Sequence, residues 1–310
     1  MKNDLEKLNL SYDNNSIASL DIVDFYPSVS YRMIEKAVWH FATNLQESEK
    51  RRLAIGLEFL KAGMSNQILQ FNGTYYKYKG ADNNDPGLTI GGFGSAYCSD
   101  LVVAMIFDKV KKKLFQRVKL LTKKGNRYQS LIFNKIYRDD GIIVTEKKWT
   151  ISMFHQWLDL FQAQVNNILK SDKLQFTLDI WNFNDEPTEL ETPNNISINS
   201  ENKFPFLDMY LFWKTMKSDG DLKWKDGGVK ELCFNVYHKP NQRLKYLNAQ
   251  STHKRTVFHA IPKGVFHRLA SLTTFDSTNT SKTVDELYPI HAKALIIAGL
   301  VNEGEFPILS

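Results

Sequence analysis

An α+β fold, with a sheet carrying helices on one face and a smaller helical region at its C-terminal end, is what this sequence predicts. Three observations lead there. Strand-like and helix-like segments are mixed without the regular βαβ alternation of a parallel sheet. Two of the strand signals sit around tight turns, "QFNGTYYKYKGADNNDPG" (70 to 87) and "KIYRDDGIIV" (135 to 144). The last quarter of the chain holds two helical stretches separated by the polar loop "TTFDSTNTSK".

Taken in order, "SIASLDIVDFY" (16 to 26) reads as a buried strand that ends at Pro27. "SYRMIEKAVWHFATNL" (30 to 45) has apolar residues at helical spacing, and Ser30 is placed to cap it. Residues 48 to 70 form a second helical stretch, and an aromatic hairpin follows. The largely apolar run from Ser95 to Val118 predicts a buried helix opening from a glycine-rich turn. Residues 130 to 137 and 141 to 146 make two short strands, "TISMFHQWLDLFQAQVNNILKS" an amphipathic helix, and 174 to 183, 206 to 213 and 231 to 237 further strands. Helices are expected over 256 to 273 and 283 to 299.

With 310 residues and 43% hydrophobic side chains, the chain has ample material for a core and for roughly two domains. No apolar run is long enough to cross a bilayer. The first fifteen residues lack the apolar stretch of a secretory signal, and Cys98 and Cys233 stand far apart, as reduced core thiols would. An intracellular protein is expected. The formal charge of +6 is compatible with a polyanionic partner. Basic residues gather at 109 to 127, 237 to 246 and 251 to 268, the last two with aromatics interleaved.

The acidic pair Asp139–Asp140 is the feature the fold itself does not require. Aspartate is a poor strand former and neighbouring carboxylates repel, so a cation is the natural explanation. Gly141 is expected to relieve the backbone at the turn. A second acid must come from elsewhere, and Asp21 lies among apolar residues where an unpartnered carboxylate carries a large desolvation cost. Adjacent strands would let Asp21 and Asp139 bridge two Mg²⁺ ions about 3.5 to 4 Å apart, the arrangement used in phosphoryl transfer. Magnesium prefers such hard oxygens and accepts substrate phosphates as further ligands, which predicts a nucleoside triphosphate substrate. "GGFGSAY" lacks the third glycine of a dinucleotide-binding loop, and no phosphate-loop lysine follows it.

Set side by side, these segments resemble the palm of a reverse transcriptase, of the type carried by Penelope-like retroelements. "DIVDFYPSV" is similar to the first palm motif, "GLTIGGFGSAYCSDL" to the glycine-containing second, and "IYRDDGIIV" to the Tyr-x-Asp-Asp turn. "FPFLDMYL" (204 to 211) resembles the Phe-Leu-Asp strand of that type, and "NVYHKPNQRLKYLNAQSTHK" (235 to 254) its Tyr-Arg-Lys-Pro segment with the following Tyr-Leu and Ser-x-His. Five motifs stand in family order between about residues 16 and 272.

The resemblance implies a right-hand polymerase palm, a mainly antiparallel sheet backed by helices, over residues 1 to 248, with partial fingers elements at about 45 to 90. It implies an incomplete helical thumb over 249 to 310. Asp21, Asp139 and Asp140 would be catalytic, holding two Mg²⁺ ions (Mn²⁺ as a substitute) together with the Ile22 backbone carbonyl. Tyr26, unless it is an ordinary core tyrosine, would lie under the nucleotide sugar, and Gly91 and Gly92 would admit the incoming nucleotide or template. Asp208 would support structure. His238, Lys239, Tyr246 and Lys254 would contact the primer strand. The implied partners are an RNA template, a DNA primer and deoxynucleoside triphosphates, and the implied location is nuclear. The proton for the leaving pyrophosphate is unassigned among Gln175, Lys173 and Lys170.

Relatives carry a basic fingers segment before the first catalytic strand, for which fifteen residues leave no room. "YHKP" and "STHK" also depart from the usual Tyr-Arg-Lys-Pro and Ser-Asn-His-Pro. Two readings follow: an RNA-directed DNA polymerase, or an inactive or domesticated fragment that binds nucleic acid without catalysis.

Overall fold

The computed structural model describes residues 1–77, 85–90, 92, 94–116, 118–122, 125–181, 195–199, 201–215, 230–238, 244–274 and 282–308. In chain order its elements begin with α1 (Lys2–Glu6), β1 (Ile17–Ile22), the short α2 (Phe25–Ser28), α3 (Tyr31–Phe41), α4 (Glu47–Ser65) and the hairpin β2 (Ile68–Phe71) and β3 (Thr74–Lys77). Helix α5 (Ser95–Val110) runs into a π-helical turn (Lys111–Phe115), followed by β4 (Val118–Thr122), β5 (Gly125–Gln129), β6 (Leu131–Tyr137) and β7 (Asp140–Thr145). Next come α6 (Ile151–Leu169), β8 (Phe176–Trp181), β9 (Ile196–Asn199), β10 (Lys203–Phe206), β11 (Met209–Thr215) and β12 (Lys230–Val236). The chain closes with α7 (Arg255–Leu272), α8 (Val284–Leu287) and α9 (Pro289–Ile297).

The fold is α+β, as the sequence predicts. It divides into two compact units, Asp13–Ser200, and Met1–Tyr12 together with Glu201–Ser310. Strands β10 to β12 thus belong with the C-terminal helices, whereas the motif resemblance groups everything up to residue 248.

In the first unit five strands lie in the order β6-β7-β1-β8-β9, antiparallel except for the β8–β9 pair. Side chains alternate across the sheet. Ala18, Leu20 and Ile22 of β1, Ile143 of β7 and Phe176, Leu178 and Ile180 of β8 join one apolar core with α3, α5 and α6. That core includes Val102, Met105 and Ile106 of α5 and Phe154, Trp157 and Phe161 of α6. Trp157 and Phe161 stack with ring centroids 5.1 Å apart, and the indole N–H of Trp157 donates to the Leu114 carbonyl at 3.0 Å. Thr150 caps α6 by accepting from the Met153 N–H. Ser30 occupies the N-cap of α3 but makes no capping hydrogen bond, and its buried hydroxyl has no partner among the described residues. The expected capping role is therefore not performed.

Several of the predicted segments differ in detail; the helix expected over 48 to 70 ends at Ser65, and Ile68–Phe71 is already a strand. The helix expected from Ser95 to Val118 ends at Val110 and widens into the π turn, which buries Leu114 and Phe115. The basic stretch beyond it forms the hairpin β4–β5. The final helix breaks where Pro289 starts a new one after Tyr288, giving α8 and α9.

The second unit has a three-stranded antiparallel sheet, β10-β11-β12. A core built from Val236, Leu269, Val284, Tyr288, Ala292, Leu295 and Phe306 joins β12 to the helices.

Candidate active site

Strand β1 turns its helix-facing residues inward and its alternate residues to the opposite face. On that opposite face burial decreases along the strand, from Ile17 (buried) through Ser19 (half-buried) to Asp21 (exposed). Asp21 is therefore not the enclosed charge that its apolar neighbours suggest. Alternation carries it away from the core, and the strand ends one residue later. Sequence neighbours report burial of a strand residue poorly for this reason.

The other acids arrive on β6 and β7. Tyr137 pairs with Asp140, so the connection is a two-residue loop, Arg138–Asp139. Arg138 carries the left-handed backbone of this turn at φ 59°, a conformation that costs a non-glycine residue about 1 kcal/mol. Gly141, expected to relieve the turn, does not have positive φ. It serves the strand instead: it pairs with Leu20, and a Cβ added to it would stand 3.2 Å from the Leu20 Cβ. The glycine lets β7 close on β1.

That pairing brings the acids together. From Ile17–Val144 to Leu20–Gly141 the register runs without a shift, and continuing it sets Ile22 across from Asp139. The Asp21 carboxylate is held above the ordinary range, first by partial desolvation against the sheet and further by the negative charge of Asp139. A hydrogen bond from the Ile22 N–H acts in the opposite direction. Asp139 is an acid whose charge bears on Asp21. The Ile22 carbonyl is directed to the same place. Thr145 donates to Ser16 on the β7 side and Val23 to the Gln175 carbonyl on the β8 side, so the even-numbered residues of β1 present their backbone groups to β7.

Two carboxylates and a backbone carbonyl at an exposed strand end are the hard oxygen donors a magnesium ion takes. Among the described residues, no group of three or more His, Cys, Asp or Glu side chains is gathered closely enough to hold a metal. The donor set is thus a pair of acids with room for water and substrate oxygens.

Tyr26 lies on α2, half-buried against the core, its ring 5.3 Å from that of Phe25. The segment before the second motif packs on it: Leu88 donates to the Tyr26 carbonyl at 3.0 Å, and a side chain at Gly87 would run into the Pro27 carbonyl. At Gly92 a Cβ would lie 2.6 Å from the Ser95 hydroxyl and 2.7 Å from that of Thr89. Close packing of the loop before α5 thus accounts for this glycine. Gly91 lies outside the described residues. Of the residues considered for leaving-group protonation, Gln175 sits beside Val23 and bonds the Asp172 carbonyl, while Lys170 donates to Asn167 at 2.7 Å.

In the second unit His238 and Tyr246 meet around a residue the sequence reading did not select, His291 of α9. The Tyr246 hydroxyl is 2.6 Å from His291 Nδ1, and the His238 and His291 ring centroids are 4.5 Å apart. Arg268 of α7 joins this group and forms an ion pair with Asp208, which thereby ties the β10–β11 turn to α7. His291 is 8% exposed, and its Nε2 has no hydrogen-bond partner among the described residues. Burial, then the charges of His238 and Arg268, push its pKa down to about 4. Nothing in the local sequence "YPIHAK" distinguishes His291; only tertiary packing does. Lys254 stands at the N-cap of α7, exposed, and Lys239 lies outside the described residues.

No protein-family model and no curated protein matches the chain. Among solved structures, apo telomerase from Candida tropicalis, truncated from its C-terminal domain, aligns with a TM-score of 0.34 at 12% identity, covering 67% of this chain and 36% of that one. The chain spans little more than a third of the telomerase chain, and similarity at this level identifies neither activity nor ligand. No described helix is long and apolar enough to cross a membrane.

Proposed function

We propose that this chain is the palm of an RNA-directed DNA polymerase of the Penelope-like retroelement type. It would extend a primer 3′-hydroxyl with deoxynucleoside triphosphates on an RNA template. The observation that carries this reading is the convergence of Asp21 and Asp139, distant in sequence, at the exposed end of two paired strands, where the charge of Asp139 bears on the Asp21 carboxylate. An uncompensated pair of acids is costly, and a divalent cation offsets it.

In this reading Asp21, Asp139 and the Ile22 carbonyl hold magnesium, with Asp140 beside them. Bound magnesium supplies Lewis-acid polarisation of phosphoryl oxygens and stabilises charge on the attacking and leaving groups. Tyr26 backs the sugar of the incoming nucleotide, and the tightly packed loop at Gly92 bounds the same cleft. The cluster of His238, Tyr246 and Arg268 faces nucleic-acid backbone.

Primer extension tests the proposal. With magnesium, an RNA template and a DNA primer, the wild-type chain adds deoxynucleotides, and Asp139→Asn lowers the rate by at least about a hundredfold. Equal extension by both chains removes the catalytic assignment.

A second reading has an observation of its own: among the described residues only two acids, not three potential ligands, gather at the site. A nucleic-acid-binding module without catalysis fits that sparse donor set. It predicts retained binding of a primer–template duplex with no extension by the wild-type chain.

A further inference from the structure

Among the described residues, the hairpin β2–β3 adds no side chain to the core of its own unit. Ile68, Phe71, Tyr75 and Tyr76 are 67%, 68%, 69% and 52% exposed. Beyond their mutual pairing, the two strands make no more than marginal contact with any other element among the described residues. Such a hairpin is at best marginally stable in water, and aromatic surface left in solvent marks a place where something binds.

Its turn is well specified. Asn72 and Gly73, at φ 48° and 78°, form the two-residue connection that matches strand twist, so the rings are carried on a defined arm. The register pairs Leu69 with Tyr76 and Phe71 with Thr74, which sets Phe71 and Tyr76 on one face as diagonal neighbours. Diagonal neighbours lie about 7 to 8 Å apart. Tyr75 and Lys77 share the reverse face. From residue 68 to residue 80 the sequence has two lysines, Lys77 and Lys79, and no acid.

We propose that the Phe71–Tyr76 face of this hairpin stacks the bases of single-stranded nucleic acid. Exposed rings suit unpaired bases, which offer their flat faces, and not a duplex, whose bases are stacked on each other. The lack of any acid in the segment fits a polyanion in preference to a basic peptide. The choice of occupant rests on the polymerase reading, which requires a template strand to enter unpaired.

The test is fluorescence anisotropy of a labelled oligothymidylate, and of its blunt duplex with oligoadenylate, titrated with the full chain. The double variant Phe71→Ala/Tyr76→Ala is compared with the ring-preserving Phe71→Tyr/Tyr76→Phe. Loss of the rings is expected to weaken the single strand by about tenfold or more while leaving the duplex unchanged, and the ring-preserving pair to bind as wild type. Unchanged affinity for the single strand overturns the proposal, as does an equal loss on the duplex. Self-association abolished by the alanine pair, with oligonucleotide affinity unchanged, assigns the surface to a second copy and also overturns it. Primer extension by the wild-type chain separates the two claims. If the wild-type chain fails to extend primers while the ring effect holds, the polymerase reading falls and the stacking face stands.

Discussion

Gly141 lies directly opposite Leu20 in the central sheet, close enough that a methyl group on it would press on the Leu20 Cβ at 3.2 Å. This contact sets how near β7, and with it Asp139, comes to Asp21. Gly141→Ala is expected to destabilise the chain by about 1 kcal/mol, the lower end for an overpacked site, because neighbouring strands must part by a few tenths of an ångström. Primer extension should fall by more than the thermal unfolding midpoint alone explains. A variant with wild-type stability and wild-type extension would show that the close approach has no part in the site.

His291 predicts how the second unit responds to acid. Its folded pKa, about 4, lies below the ordinary 6.5, so folding favours the neutral ring. The resulting stability is fully present above pH 6.5 and is lost as pH falls from there towards 4, by up to about 3 kcal/mol. The groups facing the ring are Tyr246, His238, Tyr288 and Arg268, the last paired with Asp208. Urea unfolding at pH 7.5 and at pH 5 should show this loss in the wild-type chain and a smaller one in His291→Leu. Equal losses would place the acid sensitivity elsewhere.

Arg268 lowers the pKa of both His238 and His291, in each case as a contribution smaller than burial. Replacing it in Arg268→Gln removes the cation and leaves the burial. Histidine ring signals followed by NMR across pH should then titrate at higher pH for both residues than in the wild-type chain. No movement of either midpoint would contradict the cluster as described. The ion pair with Asp208 is exposed on both sides, and its loss should change stability by less than about 1 kcal/mol.

The sequence announces the five-stranded sheet and its helices clearly where periodicity is strong. The apolar face of α6 and the hairpin around Asp139 fall within a residue or two of their predicted limits. What periodicity does not reveal is which face of β1 lies on the core at its end, and so Asp21, ringed by apolar neighbours, reads as buried when it is exposed. The role of Gly141 was equally hidden, because it depends on a strand more than a hundred residues away in the chain. His291 and Arg268 carry no local signal at all: each is one polar residue in a helical stretch, and only the packing of α7 and α9 with β12 makes them neighbours of His238. The hairpin β2–β3 was legible from its Asn-Gly turn and alternating aromatics; its isolation from the core was not.

Mn²⁺ binding, followed by electron paramagnetic resonance, bears most directly on the account. The wild-type chain should take up the ion, Asp21→Asn and Asp139→Asn should each lose that uptake, and the double variant should be no worse than either. Unaltered affinity in either single variant would mean that the two carboxylates do not act on a common cation.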